Sequence, residues 1–249
     1  KKMDSSLVVS GFSDIGEGCA LSWYCEPTSW TPNDSEREGQ GGSWSVESGV
    51  LSLSPPAKKD FWRKTFYQPA FVKDDGPCLF ATLPSNECFT IETSFVLTPR
   101  RQFDQAGICV RLDHEHWLKT GIEVVDGVPR MSCVVTNGYS DWSTQQWSAS
   151  SATIRVTIKG DSSFIVEAAP LDSTDFNFIR IAHLDLNLVQ KTDPLADISG
   201  FQGPSPPMGS LWAGVFGCCP EDNQGCVVSF QTFKISNGTS FEHNADGNV

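Results

Sequence analysis

Alternation with a period of two limits this chain most. In Trp117–Val124 the even positions carry Leu118, Thr120, Ile122 and Val124, and the odd positions carry Trp117, Lys119, Gly121 and Glu123. Such spacing sets neighbouring side chains on opposite faces of an extended strand. The even face reads as core. The odd face mixes an aromatic, a cation, a glycine and an anion, as a binding surface does. Upstream, Gln105, Gly107, Cys109 and Arg111 alternate with Ala106, Ile108, Val110 and Leu112. When the two segments pair antiparallel, one parity sets apolar on apolar. It matches Arg111 with Trp117, Cys109 with Lys119, Gly107 with Gly121 and Gln105 with Glu123. A slip by one residue would bury Lys119 and Glu123 against Ile108 and Ala106. Facing glycines predict a shallow floor on the polar face.

The same short-strand grammar runs through the rest of the chain. Ser43–Leu53 reads as a hairpin turning at Ser48-Gly49, and Pro55-Pro56 ends its second strand. Lys58–Tyr67 reads as a strand edge, followed by a turn at Asp74–Pro77. Further strands are expected at Cys78–Leu83, Cys88–Leu97, Arg130–Asn137, Thr153–Lys159, Phe164–Ala169, Phe176–His183, Ser210–Gly217 and Cys226–Ile235. Asn137–Trp142 reads as a loop with two aromatics and a carboxylate, and Asp185–Met208 as a proline-rich insertion with a short helical turn. With 249 residues, 21 glycines and 15 prolines, the pattern is that of one all-β domain, a two-sheet antiparallel β-sandwich or jelly roll. Its core is expected over about 44–235, after an N-terminal strand and loops and before a polar tail.

Charge narrows the partners. A net charge of −12 repels phosphates and anionic lipid surfaces, so neither nucleic acid nor a membrane is expected as a partner. No apolar run approaches the ~20 residues a spanning helix needs. Cysteines number nine, an odd count, and Cys109 and Cys133 fall inside strand patterns. They read as mainly reduced thiols in a cytoplasmic protein, with a removed secretion signal as the alternative.

The segments FWRKTFY (61–67), FDQAGICVRLDHEHWLKTGIE (103–123), VTNGYSDW (135–142) and GVFGCCPEDNQGCVVSFQTFKI (214–235) together resemble a family of unknown-function domains. It lies in the concanavalin A-like lectin/glucanase superfamily and includes the fungal "regulation of enolase" protein. The resemblance covers most of Trp44–Ile235. It implies a jelly roll with a concave face. The polar face that register assigns to Gln105, Arg111, Trp117, Lys119 and Glu123, with Tyr139, Asp141 and Trp142 of the following loop, is the candidate ligand site on it. Arg155 shares the polar parity of its own strand and is a nearby candidate. Aromatics beside charged hydrogen-bonding groups suit a sugar, whose ring stacks while its hydroxyls bond.

Three functional classes follow. The first is a non-catalytic binding domain with a carbohydrate-type concave site. The second is an intracellular protein-interaction or metabolic-regulatory module. The third is a glycoside hydrolase or lyase, which needs a pair of carboxylates. Glucanases of the superfamily carry an E-x-D-x-x-E pattern that this chain lacks. Glu123 is the sole catalytic candidate, with Asp104 or Asp141 as the carboxylates that a fold could bring to it. No cofactor and no metal is expected. His114 and His116 read as a solvated turn, and Cys218-Cys219 with Cys226 has no second C-x-x-C pair or matching histidine.

Overall fold

The computed structural model describes residues 7–27, 41–160, 162–185, 204–221, 225–238 and 241. Strands β1 (Leu7–Ser10) and β2 (Ser22–Tyr24) precede a hairpin of β3 (Ser43–Glu47) and β4 (Val50–Ser54). Two very short strands follow, β5 (Phe61–Arg63) and β6 (Val72–Asp74), then β7 (Cys78–Pro84) and β8 (Phe89–Thr98). Next come β9 (Gln105–Arg111), β10 (His116–Val125), β11 (Val128–Asn137) and β12 (Tyr139–Gln146). The chain continues through β13 (Ser151–Ile158), β14 (Ser163–Ala169), β15 (Asn177–His183), β16 (Ser210–Cys218) and β17 (Val227–Asn237).

These strands form an all-β sandwich. One sheet runs β15-β14-β13-β8-β17-β4-β3, with β1 added beside β17, and the other runs β12-β11-β10-β9-β16-β7-β2. The β9–β10 register is the one parity demanded: Arg111 faces Trp117, Cys109 faces Lys119, Gly107 faces Gly121 and Gln105 faces Glu123. Leu118, Ile122, Ile108 and Val110 therefore point between the sheets, into a core with Phe95, Ile154, Val215 and Phe230. Burying each such side chain contributes about 1.5–3 kcal/mol. The Ser48-Gly49 and Asp126-Gly127 turns carry both residues at positive φ, the geometry that favours glycine in tight hairpins.

Two readings from the sequence are corrected. Residues 139–146 are the edge strand β12, paired along its length with β11, and only the Asn137-Gly138 pair turns the chain. An edge strand exposed over most of its length has little reason to alternate, so YSDWSTQQ lacked the usual signal. The second correction concerns β5 and β6. They form a separate hairpin that packs on the outer face of the second sheet. Beneath it lies a smaller core of Tyr24, Phe61, Cys78, Phe80, Cys109, Trp117, Val134, Phe216 and Cys218. Most of the Asp185–Met208 insertion lies outside the described residues.

Candidate functional site

The concave face is a covered surface. Gln105, Arg111, Trp117, Lys119 and Glu123 do share one face, yet each is at most 6% exposed. The β5–β6 hairpin lies over them, and its inward side chains, Phe61, Arg63 and Asp74, are also buried. An outward polar face on a central strand needs partners when something closes over it, and the hairpin supplies them in two different ways.

Toward the β9–β10 turn the cover is complete. Arg111 meets Asp74 through two hydrogen bonds, Nη1 to Oδ1 at 2.5 Å and Nη2 to Oδ2 at 2.8 Å. Burial works against the Arg111 charge, but Asp74 more than offsets it, so the guanidinium pKa is raised. The guanidinium also sits 4.6 Å from the centroid of the Tyr24 ring, whose hydroxyl donates to the Asp74 carbonyl at 2.8 Å. Trp117 packs against Phe61, with centroids 5.9 Å apart. Arg63 pairs with Glu115 of the β9–β10 turn, and its backbone N–H donates to Ser140 Oγ at 2.9 Å. His116 is buried rather than solvated, with Nδ1 2.9 Å from Asp113 Oδ1.

At the other end the cover is partial. Lys119 Nζ donates to Asp60 Oδ1 at 2.7 Å, and Gln105 Nε2 donates to the same oxygen at 3.2 Å. Glu123 accepts from Ser132 Oγ at 2.6 Å, and Ser132 Oγ in turn accepts from Trp142 Nε1 at 2.8 Å. Burial pushes the Glu123 carboxyl up to about 7; the Asp60 charge adds to this, while Lys119 and the hydrogen bonds from Ser132 and Trp142 oppose it. Glu123 thus exchanges its proton near neutrality, beside the Lys119–Asp60 ion pair. Only a shallow recess remains here, without room for a water molecule, lined by Gln105, Lys119, Gly121, Glu123, Ser132 and Phe216 among others. Gly121, paired with Gly107, lines it from β10, and Phe216, which pairs with Gly107, lines it from β16. A Cβ on either glycine would run into the other strand's backbone.

A run of aromatic rings begins beside this recess at Trp142, which bonds its Ser132. Trp142 lies 6.4 Å from Trp62 and 6.3 Å from Phe103. Trp62 meets Tyr67, which meets Phe71 at 4.6 Å. Tyr67, Phe71 and Trp142 are each more than a third exposed, so their faces reach solvent. A larger depression of about 550 Å³ opens beside Trp147 and Leu171, but no titratable side chain lines it. It offers neither acid, base nor charge.

The structure divides the residues that sequence reasoning had joined. Gln105, Lys119, Glu123 and Trp142 gather at the recess. Arg111 and Trp117 lie on the same face but are enclosed by the hairpin. Asp141 has the opposite parity from Trp142 and approaches Arg180 of the other sheet, at 3.5 Å. Tyr139 is exposed beside Lys64. Arg155 belongs to the other sheet, where it bonds Glu92 at 2.7 Å and stacks on Phe176. Neither Asp104 nor Asp141 is the carboxylate that nears Glu123; Asp60 is. Asp60 escaped notice because parity says nothing of a segment 59 residues away. The available signal was a charged, aromatic stretch, DFWR, too short to pair within either sheet.

Comparison with known proteins follows the same lines. The family described as "Protein of unknown function (DUF1349)" matches residues 40–238. Regulation of enolase protein 1 of Saccharomyces cerevisiae is 31% identical over 192 residues, covering 76% of this chain and 83% of that protein. A solved structure titled as a functionally unknown protein from Saccharomyces cerevisiae superposes with a TM-score of 0.67 at 28% identity, over 88% of this chain and 97% of that one. The GH43 BlXynB protein from Bacillus licheniformis gives a TM-score of 0.57 at 12% identity, over 79% of this chain and 35% of that one. This last likeness speaks for the fold alone.

Proposed function

The chain belongs to the family described as "Protein of unknown function (DUF1349)", and from that premise we propose that it is a non-catalytic binding domain for a saccharide, held at the Glu123 end of the concave face. One observation carries this reading: the hairpin seals the Arg111 end and leaves the Glu123 end as a polar recess beside a run of aromatic rings. A carboxyl near its pKa, a carboxylate, an ammonium and an amide offer both donors and acceptors, which is what sugar hydroxyls ask for. The recess has no ligand-sized space, unlike the ~300–1,000 Å³ of clefts that engulf a ligand. A saccharide would therefore lie across its mouth, with a ring stacked on the exposed Trp142 and hydroxyls turned toward the polar groups.

Two features favour binding over hydrolysis. Asp60 is committed to Lys119 and Gln105, and Glu123 is enclosed with little space for a glycosidic oxygen and a water. Calorimetry against a panel of mono- and oligosaccharides tests the reading. Wild type is expected to bind at least one member, Trp142→Ala to lose about tenfold or more, and Asp141→Ala to match wild type. No binding across the panel overturns it.

A second reading rests on the hairpin tip. Phe66 is 86% exposed beside Tyr67 and Phe71, a patch that fits an interaction module in the cytoplasm. Free thiols, six of them buried, suit that reducing compartment. A stoichiometric protein partner that is lost on Phe66→Ser, with no saccharide bound, would favour it.

A further inference from the structure

Asp104, Cys219 and Cys226 come from three places in the chain: the turn before β9, the residue after β16 and the residue before β17. Their ligand atoms lie within 4.8 Å of one another, and all three residues are buried, at 0, 0 and 1% exposure. Asp104 Oδ2 accepts the backbone N–H groups of Arg100 at 2.6 Å and Arg101 at 2.9 Å. Its other oxygen, Oδ1, is buried with no hydrogen-bond partner. Cys219 Sγ accepts the backbone N–H of Cys226 at 2.8 Å and stands 3.1 Å from Cys226 Sγ.

We propose that these residues form a binding site for a zinc-class divalent cation, held by Cys219 Sγ, Cys226 Sγ and Asp104 Oδ1, with a fourth position for water. A buried carboxylate oxygen without a partner is the feature that asks for a cation. A disulfide between Cys219 and Cys226 would satisfy the sulfurs and leave Oδ1 alone. Two thiolates with one carboxylate suit zinc, which accepts sulfur and oxygen ligands together. The sulfurs need separate by only roughly 0.6 Å to reach tetrahedral Zn–S bonds of ~2.3 Å. Loading is an exchange without redox: M²⁺ binds, and each thiol gives its proton to solvent, two protons per ion. Sequence spacing argued against a metal because the third ligand lies more than a hundred residues upstream.

The position gives the ion a structural task. The Cys219 carbonyl accepts the Lys58 N–H at 2.7 Å, and Cys219 bridges to both Ala57 and Lys59, at the root of the covering hairpin. Asp104 immediately precedes Gln105. A metal here would fix the root of the segment bearing Asp60 against the strand bearing Gln105, and the assignment stands whether or not the recess binds a saccharide.

The test is titration of the reduced full-length chain with Co²⁺ and Zn²⁺, following the thiolate-to-cobalt charge-transfer band and proton release in weak buffer. One ion per chain, two protons released and a zinc-dependent rise in Tm are expected. Cys226→Ser and Asp104→Asn should each weaken zinc by more than about tenfold, with Cys19→Ser as an unaffected control. If Asp104→Asn does not fold, Cys219→Ser and Cys226→Ser still decide. A reduced protein that takes up no cobalt, or a band that survives the cysteine variants, overturns the site. So does a Cys219–Cys226 disulfide whose reduction yields no metal uptake.

Discussion

The two ends of one strand face on β10 met different fates. At the Trp117 end, Arg111 is matched by both oxygens of Asp74, and Trp117 by the Phe61 ring. At the Glu123 end, one Asp60 oxygen serves both Lys119 and Gln105, while Glu123 accepts, among the described residues, from the neutral donors Ser132 and Trp142. Both ends have the same alternation and the same neighbours in the sheet. What separates the two ends is how each charge is matched, not whether every atom is satisfied, since Arg111 Nε stays buried without a hydrogen bond. A charge met by a whole carboxylate becomes part of a second core; a carboxyl met only by neutral donors keeps a raised pKa and the capacity to respond to something else.

Breaking the sealed end should cost most. Arg111→Ala strands Asp74 in the buried core and is expected to lose about 3–5 kcal/mol, read from the denaturant midpoint, whereas the double change Arg111→Met with Asp74→Leu should recover much of it. Equal stability of the single variant and wild type would mean that the hairpin does not close over this face.

The open end should show itself in pH dependence. Glu123 rises from its ordinary value of 4.5 to about 7, so between those values the folded chain holds the proton that the unfolded chain releases. The contribution is present in full below about 4.5 and is lost as pH rises through 7. Glu123→Gln, which does not titrate, should therefore gain on wild type between pH 5 and pH 8, by up to ~3 kcal/mol. A constant difference across that range would remove the raised carboxyl from the account.

Ser132→Ala removes the donor that holds the Glu123 carboxylate. It should cost about 1–3 kcal/mol and push the Glu123 titration higher still, as followed by carboxyl carbon NMR. Smallest of all, Asp141→Ala lies off this face and should change stability by less than about 0.5 kcal/mol. A large loss there would mean that the Arg180 contact joins the two sheets more firmly than an exposed pair can.

Much of this was legible in the chain and some was not. The 105–111 and 116–125 strands, their register and the burial of Leu118 and Ile122 follow from alternation, because parity is fixed by the geometry of extended backbone. The edge strand 139–146 was missed because a strand exposed over most of its length carries no apolar period. The gathering of Lys119, Glu123 and Gln105 was foreseen; their partner Asp60 and the separation of Asp141 from Trp142 were not.

By itself, then, the sequence determined that the chain forms a two-sheet sandwich and which residues face outward on β9 and β10. The tertiary structure alone decided that residues 57–77 fold back over that face, that Arg111 and Trp117 become core, and that a recess survives at Glu123. Alternation is a property of adjacent peptides and can be read locally. Coverage depends on which distant segment offers the matching charge and ring, and no local pattern records that choice.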